Sequence, residues 1–316
     1  MMRFSIPCFV VLAACASSPS APPEEPVDSS VERGEWTTPP PSKVDGASRV
    51  VAFADVHGDY EATVSVLQLA GLINADKEWV GGETIAVQTG DQLDRGDGER
   101  AILDLFETLS QQAWDAGGAF YPLLGNHETM NVGLDFRYVT EGGWAEFADV
   151  KYDENAAYLS SYDESQRGRV AAFYPGGPYA MILAGHNLAM MVGDTVFVHG
   201  GILPSHATAG LETINGEVQA WMRGETVEPD TWTHSNEAPV WTRGYSDDPD
   251  DKACAQLEEA LSILGAERMV VGHTIQTTAN PACNDKVWRM DVGMSSYYGG
   301  TPAALEIKGE EITLLD

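Results

Sequence analysis

The sequence predicts an α/β fold of two packed, mixed β-sheets flanked by helices. Three observations lead there. Runs with the composition of buried strands (RVVAFA, TIAVQT and DTVFV) each stop at a polar, glycine-containing block. The first three strand candidates alternate with amphipathic stretches, the rhythm of a parallel βαβ core. Towards the C-terminus the strand candidates follow one another closely, spaced for antiparallel or mixed pairing. A chain of 316 residues with 43% hydrophobic content is long enough to bury such a core.

Arg49–Ala54 is the first core strand, and Asp59 stands where it would N-cap an amphipathic helix from about Tyr60 to Leu72. Thr84–Thr89 is the second strand. It leads to a helix from about Glu99 to Ala116, with Ile102, Leu103, Leu105, Phe106 and Leu109 on its buried side. Ala119–Leu124 is the third strand. Residues from about 135 to 177 break this rhythm, and their Tyr, Asp and Glu content predicts a partly helical insertion over the strand ends. Tyr179–Leu188, Thr195–His199, Met269–Val271, Val287–Val292, Ala303–Ile307 and Glu311–Leu315 complete the strand candidates.

The folded domain is predicted over 48–316, and two segments of another kind precede it. Met1, Met2 and Arg3 followed by apolar Phe4–Leu12 have the charged start and short greasy run of a secretory signal, predicted over 1–14. Its length of about ten apolar residues falls short of the roughly twenty that span a bilayer. Leu12-Ala13-Ala14-Cys15 resembles a bacterial lipobox, which implies cleavage before Cys15 and a lipid anchor on that residue. Ala16 after the cysteine, by resemblance to Gram-negative lipoproteins, points to the outer membrane and periplasm. Ordinary processing after Ala16 is the rival, since Ala14-Cys15-Ala16 also fits an A-x-A site. Residues 15–47, rich in Ser, Pro and Glu, read as a disordered tether.

A net charge of −30 repels nucleic acid and anionic headgroups, and argues against both as partners. A phosphorylated substrate then has to be drawn in by local cations. With Cys8 in the signal and Cys15 carrying lipid, Cys254 and Cys283 remain, an even pair in an exported, oxidising setting. A disulfide between them is predicted, bracketing the VGHT block; two free thiols are the alternative.

Five blocks carry the chemistry: DVHGD at Asp55–Asp59, GDQLDRG at Gly90–Gly96, GNHE at Gly125–Glu128, VHGG at Val198–Gly201 and VGHT at Val271–Thr274. Those that follow strands would present their polar side chains on loops at the strand ends, where open α/β sheets place ligands. Hydrolysis of a phosphate monoester demands up to about 10²¹-fold acceleration. One imidazole or carboxylate acting as acid or base supplies about 10² to 10⁴ of it. Two divalent ions roughly 3.5–4 Å apart clamp the attacking and leaving oxygens and bring the pKa of bound water towards about 7. The carboxylates, carboxamide and imidazoles of the five blocks are a suitable ligand set for such ions.

In these blocks the chain resembles the calcineurin-like metallophosphoesterases, specifically the PPP phosphoprotein phosphatases and their Shewanella-like branch. The likeness runs from about Arg49 to Ile307 and takes in VWTRGY, GAERMVVGHT and VWRMDVGMSSYYGG. It implies the four-layer αββα sandwich of the metallophosphoesterase fold. It also implies two divalent metal ions, Mn, Fe or Zn, one held by Asp55, His57 and Asp91 and the other by Asp91, Asn126, His199 and His273, with Asp91 and a hydroxide bridging them. His127 would be the general acid and Asp94 its orienting partner. Arg95 and Arg243 would grip phosphate oxygens, offsetting the acidic surface. The residue types agree: Asp55 and His57, two apart in an extended turn, point the same way, and the neutral donors of Asn126, His199 and His273 add no further charge.

The implied reaction is hydrolysis of a phosphorylated protein at Ser, Thr or Tyr by in-line attack, and the branch includes enzymes that favour phosphotyrosine. The competitors are a nucleotide hydrolase akin to the diadenosine tetraphosphatases, a scavenger of small phosphate esters, and a non-catalytic metal-binding lipoprotein. Asp94 and Glu128 within their blocks favour the phosphoprotein side. Outside the motifs, His186, His206 and His234 read as surface or structural. Asp291 and Tyr297-Tyr298-Gly299-Gly300 resemble the segment lining the family's site and stay outside the catalytic set. Arg137 and Arg169, in the insertion, read as solvent-exposed, with a substrate-facing role as the alternative.

Overall fold

The computed structural model describes residues 1–2 and 39–316. The signal segment from residue 3, the lipobox cysteine Cys15 and the tether up to residue 38 lie outside the described residues. In chain order the elements begin with Lys43–Val44 (β1), Val50–Phe53 (β2), Tyr60–Leu69 (α1), Ile85–Gln88 (β3), Glu99–Asp115 (α2), Ala119–Pro122 (β4) and Asn126–Val132 (α3). The insertion contributes Glu141–Ala145 (α4) and Glu164–Phe173 (α5) around a 3₁₀ turn at Ala157–Leu159. There follow Pro178–Leu183 (α6), Ala189–Val192 (β5), Thr195–Val198 (β6), Pro204–Ala209 (α7), Leu211–Met222 (α8), Asp230–Thr233 (α9) and Asp251–Leu264 (α10). Arg268–Val271 (β7), Asn280–Ala282 (β8), Val287–Arg289 (β9), Ala304–Lys308 (β10) and Glu311–Leu315 (β11) close the fold.

Two mixed sheets result. One runs β11-β10-β2-β3-β4, with β2, β3 and β4 parallel and β10 antiparallel to β2. The other runs β1-β5-β6-β7-β9-β8, parallel from β6 through β7 to β9. Successive side chains on a strand point to opposite faces, and β6 and β7 show it. Phe197 and Val270 belong to a core with Val51, Phe53 and Val87 of the first sheet. Val196, Val198, Met269 and Val271 belong instead to a core with Leu183, Ile214 and Leu261 of α6, α8 and α10. Helices α1 and α2 bury Val66, Leu67, Ile102 and Phe106 in the first core. The order is thus helix, sheet, sheet, helix, the four-layer sandwich expected from the resemblance. Phe106 packs edge-on against Phe120 with ring centroids 5.0 Å apart, and Phe106→Ala would cost about 3–5 kcal/mol through the cavity left behind.

Local chemistry accounts for the element ends. Asp59 caps α1 by accepting from the Ala62 N–H at 2.9 Å, and Asp250 caps α10 through Ala253 N–H at 2.8 Å. Cys254 in α10 and Cys283, just after β8, form the expected disulfide, with Cα atoms 5.2 Å apart. Among the described residues no helix is long and apolar enough to cross a membrane.

Three expectations need correction. Tyr179–Leu188 is not a strand: α6 and a turn occupy it, and the strand β5 starts at Ala189. Pro178 at the first helical turn, and a run of Ala, Met and Leu with Ile182 its one β-branched residue, favour the helix. The folded domain also starts before residue 48. β1 pairs in parallel with β5, Asn187 Nδ2 donates to Pro40 O at 3.0 Å, and Asn215 Nδ2 donates to Ser42 Oγ at 2.9 Å. Finally, Arg169 is not exposed but wholly buried. Arg137 does face solvent, paired with Asp135.

Candidate metal centre and active site

Five loops at the C-terminal ends of strands converge. Asp55 and His57 follow β2, Asp91, Asp94 and Arg95 follow β3, Asn126 and His127 open α3 after β4, His199 follows β6 and His273 follows β7. Because β2, β3 and β4 run parallel, their loops come out side by side. Five of these residues have left-handed backbone: φ is 44° at His57, 60° at Asp91, 67° at Asp94, 73° at Arg95 and 67° at His273. A non-glycine residue held there costs about 1–3 kcal/mol, so surrounding contacts must hold it. Glycines let the loops touch: a Cβ on Gly125 would stand 2.2 Å from Asp91 Oδ1, and one on Gly272 would stand 2.4 Å from Asp55 Oδ1.

Three of the imidazoles are each fixed by a backbone carbonyl. His57 Nδ1 meets Leu93 O at 3.1 Å, His199 Nδ1 meets Thr89 O at 3.0 Å and His273 Nε2 meets Trp241 O at 3.1 Å. A carbonyl only accepts, so the facing nitrogen of a neutral ring carries the hydrogen and the other nitrogen is bare. Burial above all lowers His57 to about 4 and His273 to about 2, which keeps both neutral. The bare nitrogens turn towards Asp91: His57 Nε2 lies 3.7 Å from its Oδ2 and His199 Nε2 lies 3.2 Å from it. His199 Nε2 also stands 3.1 Å from His273 Nδ1 and 3.0 Å from Asn126 Oδ1. Lone pairs thus face lone pairs across the centre.

Negative charge is crowded there too. Burial raises Asp55 well above the usual carboxylate value, and the charges of Asp291 and Asp91 push it further. Burial likewise lifts Asp291 to about 6. Asp91 is also pushed up by burial, but His199, His127 and His57 together pull it well below the ordinary value. Bare nitrogens and mutually repelling carboxylates fit divalent cations. Two donor groups share Asp91: His57, Asp91 and His127, and Asp91, His199 and His273, each with its ligand atoms within 4.8 Å of one another. Asp55 Oδ2 approaches His57 Nε2 to 3.8 Å, and His127 already gives its Nδ1 to Asp94.

That second contact defines a dyad. His127 Nδ1 and Asp94 Oδ2 are 2.5 Å apart, and both side chains are buried. Burial pulls His127 down, yet Asp91 and Asp94 overcome it and raise it above the ordinary histidine value. A cavity of about 220 Å³ opens onto the dyad and onto His57, Asp91, Asn126 and His273. Arg95 and Arg243 line it as well. The guanidinium carbon of Arg95 lies over Tyr138, 3.9 Å from the ring centroid, and the Arg95 Nε is buried without a partner. Arg243 is exposed and tied to the VGHT turn through His273 O at 2.6 Å and Thr274 Oγ1 at 2.9 Å.

Residues 48–276 match the family model of the calcineurin-like phosphoesterases. The chain belongs to that family. This phosphoesterase is 40% identical over 294 residues to Shewanella-like protein phosphatase 2 of Arabidopsis thaliana, covering 82% of this chain and 75% of the relative. A cold-active protein tyrosine phosphatase of a psychrophilic Shewanella species superposes with a TM-score of 0.70 at 25% identity, over 90% of this chain and 85% of that one. A protein serine/threonine phosphatase from Saccharomyces cerevisiae shares the fold, with a TM-score of 0.56 at 14% identity over 89% of this chain and 85% of that one. The phosphoesterase is accordingly a hydrolase of phosphate monoesters with His and Asp groups suited to metal.

All ten residues singled out in the sequence lie at this centre or beside it. Others there had no role assigned from the sequence, although Glu128, Asp291 and Tyr298 stand in segments that the resemblance covers. Glu128 is fully buried and holds the loop after β3 by its backbone, and Asn131, Glu99 and Arg169 stand behind Asp94. Asn131 was within reach of inspection, being one helical turn beyond His127. Tyr138, Trp241, Ile275, Asp291 and Tyr298 also line the cavity.

Proposed function

We propose that the chain is a binuclear phosphoprotein phosphatase acting on phosphotyrosine before phosphoserine or phosphothreonine. The observation that carries the reading is Asp91, whose Oδ2 faces the bare Nε2 atoms of both His57 and His199. Asp55, His57 and Asp91 would hold one divalent ion, and Asp91, Asn126, His199 and His273 the other. Such a pair, when bound, supplies Lewis acidity to the phosphoryl oxygens and a nucleophilic water at neutral pH. The chain's own residues do the rest. His127, raised by its carboxylate neighbours, donates its Nε2 proton to the departing oxygen, and Asp94 holds the ring by its Nδ1. Arg95 and Arg243 bind the outer phosphoryl oxygens, with Tyr138 supporting the Arg95 plane. The likeness to a protein tyrosine phosphatase and the rings of Tyr138, Trp241 and Tyr298 around the cavity support an aryl ester. The test is turnover of an aryl phosphate monoester, its diester, and phosphotyrosine and phosphoserine peptides, with and without chelator. Diester preference, or turnover that survives chelation, would refute the reading.

The same proposal includes export as a lipoprotein anchored through Cys15. The Cys254–Cys283 disulfide supports an oxidising compartment. Labelled palmitate should enter the wild-type protein and not Cys15→Ala; a mature chain starting at Ser17 would overturn the anchor.

A further inference from the structure

Arg169 is wholly buried, and the hydrolysis outlined above does not use it. It enters from α5 in the insertion with all its N–H groups engaged. Its two terminal nitrogens fork onto both oxygens of Glu99, Nη1 also donates to Gly143 O at 2.8 Å, and Nε and Nη2 donate to Asn131 Oδ1 at 3.1 and 2.7 Å. The rings of Phe147 and Phe173 lie 5.1 and 5.0 Å from the guanidinium. With its oxygen taken, Asn131 presents its amide nitrogen to the opposite side, donating to Asp94 Oδ1 at 3.1 Å and to His127 O at 2.9 Å. Glu99 in turn accepts the backbone N–H of Asp94.

We propose that Asn131, Arg169 and Glu99 are positioning residues for the acid dyad, a clamp through which the insertion sets how well the leaving oxygen is protonated. This rests on His127 being the general acid. Asp94 has two oxygens, one on His127 Nδ1 and one held by Asn131 Nδ2, so the carboxyl plane cannot turn. Its left-handed backbone, φ 67°, is held by Glu99 from the other side. Only a planar guanidinium bonds Glu99 and Asn131 at once, which a lysine ammonium does not reproduce. None of the hydrogen bonds of these three side chains reaches a side chain assigned to metal, so disturbing them should leave the ions in place.

The test separates protonation from general damage by changing the leaving group. Phenyl phosphate needs a proton on its departing oxygen; dinitrophenyl phosphate does not. Both are turned over by the full-length, metal-loaded enzyme and by Asn131→Asp, Arg169→Lys, His127→Asn and Arg100→Ala. Asn131→Asp keeps the size and the acceptor for Arg169 while removing the donor to Asp94, so it decides the matter if Arg169→Lys fails to fold. Both clamp variants should lose about tenfold or more on phenyl phosphate and less than about threefold on dinitrophenyl phosphate, at unchanged metal content. His127→Asn should show the same selectivity more strongly. Arg100 ties α2 to the insertion through Glu146 O at 2.9 Å and Asp149 Oδ1 at 2.5 Å, away from Asp94. Its alanine variant should melt earlier without moving the ratio. Equal losses on both substrates in Asn131→Asp, beside a selective His127→Asn, would overturn the clamp alone. Equal losses in His127→Asn would overturn the general-acid reading beneath it.

Discussion

The carboxylate of Glu128 accepts the backbone N–H of Asp91 at 2.8 Å, so a side chain from one motif fixes the main chain of another. The same carboxylate accepts from Gly125 at 2.7 Å, Gln92 at 2.8 Å and Leu93 at 3.1 Å. Burial raises its pKa, and the charge of Asp91 adds to that. Glu128 acts as a strut beneath the candidate centre rather than as a ligand within it.

Removing the strut strands several buried donors at once. Each unsatisfied buried group costs about 1–3 kcal/mol, so Glu128→Ala should lose about 3 kcal/mol or more in urea unfolding. Metal content should fall with it, because the left-handed loop carrying Asp91 is no longer held. Full metal content in a folded Glu128→Ala protein would show that the strut is dispensable.

Asp91 and His127 should separate by what they lose. Asp91→Asn is expected to lose both ions and all turnover, whereas His127→Asn keeps metal and loses about 10² to 10⁴ in rate on an ester with a poor leaving group. Elemental analysis beside steady-state kinetics reads both. Metal-dependent activity in the Asp91 variant would remove the shared-ligand assignment.

Glu146, in the insertion, predicts a pH effect on stability. Burial, with the charge of Glu99, raises it from 4.5 to about 7 although Arg100 N–H bonds it. The folded state therefore holds this proton more tightly than the unfolded chain does. Stability from this group is complete below about 4.5 and lost as pH rises through about 7. Glu146→Gln mimics the protonated form, so its melting temperature should exceed that of wild type at pH values above that window and match it below. An unchanged difference across the window would dismiss the effect.

The disulfide closes a separation of 29 residues and pins α10 to the edge of the second sheet. Replacing both cysteines by serine should cost about 2–4 kcal/mol in urea unfolding. Activity towards an aryl phosphate should survive at temperatures where the variant stays folded, since neither cysteine lines the cavity. Loss of turnover in the folded variant would contradict this.

Sequence alone reached most of the centre because its residues sit beside strands whose composition announces them. Asp55, Asp91 and His199 each follow a short apolar run, and the polar block at its end marks the strand-end position where open α/β sheets place ligands. Arg169 shows where such reading stops. Its partners Glu99 and Asn131 lie 70 and 38 residues away, and only the folded chain brings enough acceptors together to bury a guanidinium. Tyr179–Leu188 fails for another reason: a continuous apolar run has no period, and Pro178 decided for a helix. Lys43–Val44 is a two-residue strand whose pairing rests on β5, so nothing in its own composition marks it.

The left-handed backbone at His57, Asp91, Asp94, Arg95 and His273 sets heat tolerance and turnover against each other. Glycine at Arg95 would relax a conformational cost and forfeit the phosphate contact proposed for that side chain in the same stroke. A laboratory selection for endurance alone would therefore erode these positions first, and the sturdiest descendants would be the slowest.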